Sequence, residues 1–98
     1  MPGPSHLLDD IKGLIQKGYW GPTVTAQDGA LELGLDEEDI SDCIVNHLDA
    51  THFYKTMASE KWPGQMQDVY RINYGGQAIY LKLQCVDGWA TVISFKEQ

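Results

Sequence analysis

The hydrophobic period of this chain changes once, near Asp49, and that switch restricts the fold more than any other feature. Before it apolar residues recur at helical spacing; after it they alternate. Leu7, Leu8, Ile11, Leu14 and Ile15 line one face of a helix that Ser5 is expected to cap and Gly18 to end. Thr25-Ala26-Gln27-Asp28 reads as a capping box with Asp in place of Glu or Gln, opening a short second helix that Gly29 weakens and Gly34 stops. A third helix begins at Asp36 and carries Ile40, Ile44 and Leu48 four apart, with Cys43 and Val45 beside that stripe.

Beyond Asp49 the first strand is expected to place Phe53, Lys55 and Met57 on one side and His52, Tyr54 and Thr56 on the other. Met66 to Ile72 is a second strand. Gln77 to Val86 is a third, with Ile79, Leu81, Leu83 and Cys85 on one face and Tyr80, Lys82 and Gln84 on the opposite one. Trp89 to Lys96 is the last, joined to the third by Asp87-Gly88, a pair suited to the positive φ angles of a type I′ turn. Gly75-Gly76 supplies a looser turn before the third strand. The expectation is an α+β fold in which N-terminal helices (5–48) pack on a C-terminal antiparallel meander (52–96). At 98 residues, positions 1–98 are read as one small domain.

Composition narrows the function. Charged residues make up 21% and hydrophobic residues 43%, the balance of an ordinary globule rather than of a disordered or fibrous chain. The apolar runs are too short to span a bilayer, and Met1-Pro2-Gly3-Pro4-Ser5-His6 lacks the regions of a signal peptide, so the expected location is the cytoplasm, without membrane contact. Cys43 and Cys85 lie far apart without metal-ligand spacing and are expected to be reduced, buried thiols. His6, His47 and His52 show no ligand pattern; the expectation is no metal and no cofactor.

The formal net charge of −7 alone argues against a nucleic-acid partner. Its distribution argues the other way. Residues 1–50 carry ten acids against Lys12 and Lys17, whereas residues 51–98 carry five cations against four acids. The acids of Asp36-Glu37-Glu38-Asp39 suit a helix start, where the backbone dipole favours negative charge. In the sheet half, Lys55, Gln67, Arg71, Tyr80, Lys82 and Lys96 form a set able to stabilise a phosphoryl group in transfer. RNA brings its own nucleophile: a 2′-hydroxyl attacking the adjacent phosphorus needs a base, an acid for the leaving 5′ oxygen, and nearby cations. The plainer alternative is the solvated polar face of an antiparallel sheet.

The ordered segments Leu33-Gly34-Leu35-Asp36, Phe53-Tyr54-Lys55-Thr56-Met57, Gln67-Asp68-Val69-Tyr70-Arg71, Tyr80-Leu81-Lys82 and Ser94-Phe95-Lys96-Glu97 resemble the MqsR family of bacterial type II toxin-antitoxin systems. The likeness runs from about Pro4 to Glu97. It implies a RelE-like fold and a metal-independent endoribonuclease (mRNA interferase) that cleaves single-stranded mRNA and is held inactive by a cognate antitoxin. Matched by segment, it implies Lys55, Gln67, Tyr80 and Lys96 as active-site residues. Chemistry then suggests Lys55 and Lys96 as base and charge stabiliser, Tyr80 for proton transfer or positioning, and Gln67 as hydrogen-bond donor to phosphate. Arg71 and Lys82 would bind flanking phosphates, with a surface salt bridge as the alternative for Arg71.

Two departures from the family pattern stand out. The family's toxins are basic and this chain is acidic, which lowers RNA affinity and opens a second reading, a weakly active or inactive protein-binding module. Met66 stands where the family often has Trp, while Trp62 lies in the preceding loop, either stacking on a base or packing against the sheet. The acidic stretch from Glu32 to Asp49 is a candidate surface for the antitoxin.

Overall fold

A computed structural model describes residues 3–98. Helix α1 (Leu8–Lys17) is followed by a short strand β1 (Trp20–Pro22), then by α2 (Val24–Glu32) and α3 (Glu37–Asp42). A single π turn (Cys43–His47) and a 3₁₀ turn (Ala50–His52) lead into β2 (Phe53–Ala58), β3 (Met66–Tyr74), β4 (Gln77–Val86) and β5 (Trp89–Glu97). The fold is α+β, with strand order β1-β5-β4-β3-β2.

The antiparallel meander of β2 to β5 follows the alternation and turn chemistry of the sequence. Asp87 and Gly88 both have positive φ, as a two-residue type I′ hairpin requires, and Gly75-Gly76 makes an equally tight turn. The sheet also gains a strand from the helical half. Trp20–Pro22 pairs in parallel with Ala90–Val92 of β5, so the sheet is mixed. Three residues containing Gly and Pro carry no local strand signal; Pro22 is tolerated because an edge strand need not use every N–H.

The helices bury their apolar stripes on one face of the sheet, called here the inner face. Ile11, Ile15, Ala26, Ala30, Ile40 and Ile44 meet Tyr70, Ile72, Ile79, Leu81, Leu83, Val92 and Phe95 in one core. Each large aliphatic side chain buried in this way contributes about 1.5–3 kcal/mol. Cys43 lies in this core, where burial pushes its thiol up to about 12, whereas Cys85 is only half-buried, at the margin of the sheet.

Several helix boundaries differ from expectation. The N-cap of α1 is Leu7, not Ser5. Ser5 is drawn elsewhere: the backbone N–H groups of Ser5 and His6 both donate to the fully buried Asp68 carboxylate, each at 2.8 Å. A buried carboxylate is costly without such donors, and these two bonds outweigh a helix cap. The cap of α2 is Thr23, whose Oγ1 accepts from the Ala26 N–H at 3.0 Å and donates to the Ile93 carbonyl at 2.9 Å. Thr25, the expected cap, lies inside the first turn. α3 ends at Asp42, where the chain widens into the π turn, closed by the Leu48 N–H on the Cys43 carbonyl at 2.9 Å.

The cap of α3 is as expected. Asp36 accepts from the Asp39 N–H, and Asp39 returns the bond to the Asp36 N–H, each at 3.0 Å. Asp36→Ala removes the side-chain acceptor of this exposed box while keeping the residue-36 N–H that donates to Asp39, and is expected to cost about 1 kcal/mol in urea unfolding. A loss well beyond that would mean that Asp36 has partners other than its own helix.

Candidate active site

Two β-bulges determine what the outer face of the sheet presents. In β2, Phe53 opposes Tyr70 while Lys55 opposes Val69, leaving Tyr54 as an extra residue. Phe53 therefore turns inward, edge-on to Tyr70 with ring centroids 5.7 Å apart, and Lys55 turns outward. Plain alternation, which puts Phe53 and Lys55 on one side, is overturned here because the core needs Phe53. In β5, Lys82 opposes Ser94 and Leu83 opposes Val92, leaving Ile93 as the extra residue. That bulge lets Val92 and Phe95 both face the core and sends Lys96 to the outer face opposite Tyr80.

The outer face carries three successive cross-strand rows. The first holds Arg71, Tyr80 and Lys96 on β3, β4 and β5. Tyr54 joins it: the Arg71 guanidinium lies 3.6 Å from the Tyr54 ring centroid, and Lys96 Nζ lies 5.2 Å from that of Tyr80. The second row holds Lys55, Val69, Lys82 and Ser94. Val69 is fully buried yet outside the helix-side core, so it forms an apolar floor between two lysines. The third holds Met57, Gln67, Gln84 and Thr91, with Gln67 Nε2 donating to Gln84 Oε1 at 3.1 Å.

The electrostatics are one-sided. Among the described residues no Lys or Arg pairs with a carboxylate; both close ion contacts are His–Asp. The salt-bridge alternative for Arg71 is therefore replaced by stacking on Tyr54, which leaves its charge uncompensated. Lys82 is held below the usual lysine pKa by partial burial, then by Lys96 and Lys55, with Glu60 acting in the opposite sense. Crowded ammonium groups destabilise one another's charged forms, and the one with least water yields first. The Asp36–Asp39 cluster sits at the start of α3, in the layer that buries Ile40 against the inner face.

A cleft of about 770 Å³ continues from the lysine row, walled by the loop between β2 and β3 and closed by the start of α2. Lys82, Gln67, Gln84 and Trp62 all line it. Trp62 is 55% exposed, so of its two readings packing against the sheet is not realised. Of the positions carried over by resemblance, Lys55, Tyr80 and Lys96 converge with Lys82 and Arg71 on the first two rows. Gln67 lies in the third row, 7% exposed, with its amide nitrogen engaged by Gln84.

Sequence reasoning missed Tyr54, assigned to the wrong face, and gave Gln84 no role. A bulge leaves no local mark, so Tyr54 was beyond reach. Gln84 was already on the polar face with Tyr80 and Lys82, and only its partner was unknown. The three histidines make polar contacts away from this site: His6 Nε2 with the Met66 carbonyl at 2.8 Å, His47 with Asp42, and His52 Nδ1 accepting from the Asp49 N–H. No helix among the described residues is long and apolar enough to cross a membrane.

Taken together, this is a small α+β domain with lysines, an arginine and tyrosines gathered on the open face of its sheet, their positive charges without carboxylate partners among the described residues. Residues 3–97 match the MqsR_toxin family model, described as motility quorum-sensing regulator, toxin of MqsA, and the chain belongs to that family. It is also similar to a protein of Escherichia coli (strain K12) named mRNA interferase toxin MqsR, with 33% identity over 95 residues that cover 97% of this chain and 95% of the relative.

Proposed function

We propose that this chain is a toxin endoribonuclease that cuts single-stranded mRNA through attack of a 2′-hydroxyl on the adjacent phosphorus, without a metal ion. The observation that carries this reading is the cluster of Lys55, Lys82 and Lys96 beside Tyr80, three ammonium groups with no carboxylate among their close partners.

The chemistry follows from what each group can do. Lys82, whose ammonium form is disfavoured by partial burial and by its positive neighbours, is assigned as the base that takes the 2′-hydroxyl proton. The new bond from the 2′ oxygen to phosphorus passes through a phosphorane whose charge Lys55 and Lys96 stabilise. Tyr80 gives its phenolic proton to the leaving 5′ oxygen, and the products are a 2′,3′-cyclic phosphate and a free 5′-hydroxyl. Arg71, held flat by Tyr54, suits a flanking phosphate. The family description and the relative's name support a toxin restrained by a cognate antitoxin protein.

The test is cleavage of end-labelled single-stranded RNA in excess EDTA, with the Lys55→Ala and Tyr80→Ala proteins alongside. Cutting that survives EDTA, ends in cyclic phosphate and falls by about 10²-fold or more in each folded variant is the expected result. No cutting by the folded wild-type protein on mixed-sequence RNAs would favour the acidic binding module, for which the net charge of −7 speaks.

A further inference from the structure

The cleft beside the lysine row holds two glutamines that the proposed cleavage chemistry does not need as a pair. Gln67 and Gln84 are each 7% exposed, and both line the cleft. Their one mutual hydrogen bond uses half of each amide. Gln67 Oε1 and Gln84 Nε2 have no protein partner among the described residues, and neither is sealed off from the cleft. Turning both amides over exchanges the roles but not the outcome: one N–H donor and one carbonyl acceptor still face the cleft.

A nearly buried amide pair whose free donor and free acceptor both open on the cleft presents them to whatever occupies it. Water satisfies these atoms in the free protein, and the Watson–Crick edge of an unstacked base, which offers a donor and an acceptor together, can take its place. Trp62, exposed on the loop that walls the same cleft, supplies an aromatic face for that base. Val69 and Lys82 lie one row away, so a base here is joined through its sugar to a phosphate on the lysine row.

We infer that Gln84, hydrogen-bonded to Gln67 in the cleft beside Trp62, is a specificity-determining residue that reads the Watson–Crick edge of one unpaired nucleobase in the RNA substrate. The inference rests on the ribonuclease reading for its substrate, but its test does not depend on cleavage.

Binding of 2′-deoxy tetranucleotides, which lack the attacking hydroxyl, is measured with one base varied at each position in turn. The side-chain amide NMR signals of Gln67 and Gln84 are followed in the same titrations. At one position the wild-type protein should separate the bases by about tenfold or more, with both amide signals shifting. Gln84→Met, which keeps length but removes donor and acceptor, should flatten that preference to within about threefold, since the recognition bond at residue 84 is lost and Gln67 loses the partner that holds its amide in place. Gln84→Glu leaves two acceptors in the cleft and should move the preference toward guanine, whose edge offers N1–H and N2–H together.

Equal wild-type binding of all bases at every position, or amide signals that stay fixed, overturns the inference even where a variant fails to fold. So does a preference that survives in folded Gln84→Met protein. The ribo form of the preferred tetranucleotide separates the two readings. Selective binding of the deoxy form with no cleavage of the ribo form sinks the ribonuclease reading and supports the base site; cleavage with unselective binding does the reverse.

Discussion

Lys82→Arg is expected to lower RNA cleavage by about 10²–10⁴-fold, the range for loss of a general base, while Lys55→Arg and Lys96→Arg keep a substantial part of the rate. All three substitutions retain a positive charge. Each also exchanges an amine for a guanidinium that stays protonated at any accessible pH, and the proposed mechanism needs the neutral amine only at Lys82. The expectation rests on the position of Lys82 between Val69 and Ser94, where partial burial and the neighbouring Lys96 and Lys55 disfavour its ammonium form. The same crowding sets the sign of a pH effect. Cleavage rises with pH through the depressed Lys82 pKa, and Lys96→Gln, by removing a positive neighbour, raises that pKa and moves the rising limb to higher pH. Single-turnover rates against pH check both. Equal loss in the three arginine variants would move the base away from Lys82 and make all three lysines charge stabilisers.

The second large effect concerns the helix that braces β5. Gly29 faces the β5 backbone so closely that an added Cβ would collide with the Phe95 carbonyl oxygen and lie 3.3 Å from the Lys96 Cβ. In an open helix Gly→Ala stabilises by up to about 1 kcal/mol. Here the obstruction is main chain, which cannot swing aside as a flexible side chain does. Gly29→Ala is therefore expected to destabilise by about 1–3 kcal/mol or more, roughly 4–8 °C in Tm for each kcal/mol. Gly13, inside α1 with nothing within 4 Å of an added Cβ, is the matched control, and Gly13→Ala is expected to stabilise by about 0.5–1 kcal/mol. Thermal unfolding of both proteins shows whether the two shifts have opposite signs. A stabilised Gly29→Ala protein would mean that α2 can withdraw from β5 at no cost. Because Lys96 follows Phe95 directly, any withdrawal should also reduce cleavage.

Much of the candidate site was legible before the fold was known, for particular reasons. Tyr80, Lys82 and Gln84 alternate with Ile79, Leu81 and Leu83 along an unbroken strand, so period two alone puts them on one face. Arg71 and Gln67 follow in the same way on β3. Lys55 and Lys96 are marked by residue type and by the ordered segments, but their direction depends on the two bulges. Thr23 as cap was hidden because its choice depends on Ile93, 70 residues away. Trp62 was open between two readings because a loop carries no period to say which way a side chain points.

The elements readable from the chain alone are those with local causes. The period change near Asp49, the Asp36–Asp39 capping box, the Asp87-Gly88 and Gly75-Gly76 turns and the helix stop at Gly18 each arise from residues within a few positions of one another. Features that balance distant demands exist only once the chain has folded. Trp20–Pro22 is a strand because β5 offers it an edge. Asp68 draws Ser5 and His6 away from capping because a buried carboxylate must be satisfied wherever donors can be found. Tyr54 and Ile93 bulge because Phe53 and Phe95 must reach the core, and each bulge reverses the parity of its strand. Those reversals turn Lys55 and Lys96 to the open face beside Lys82, so packing on one side of the sheet assembles the cations on the other.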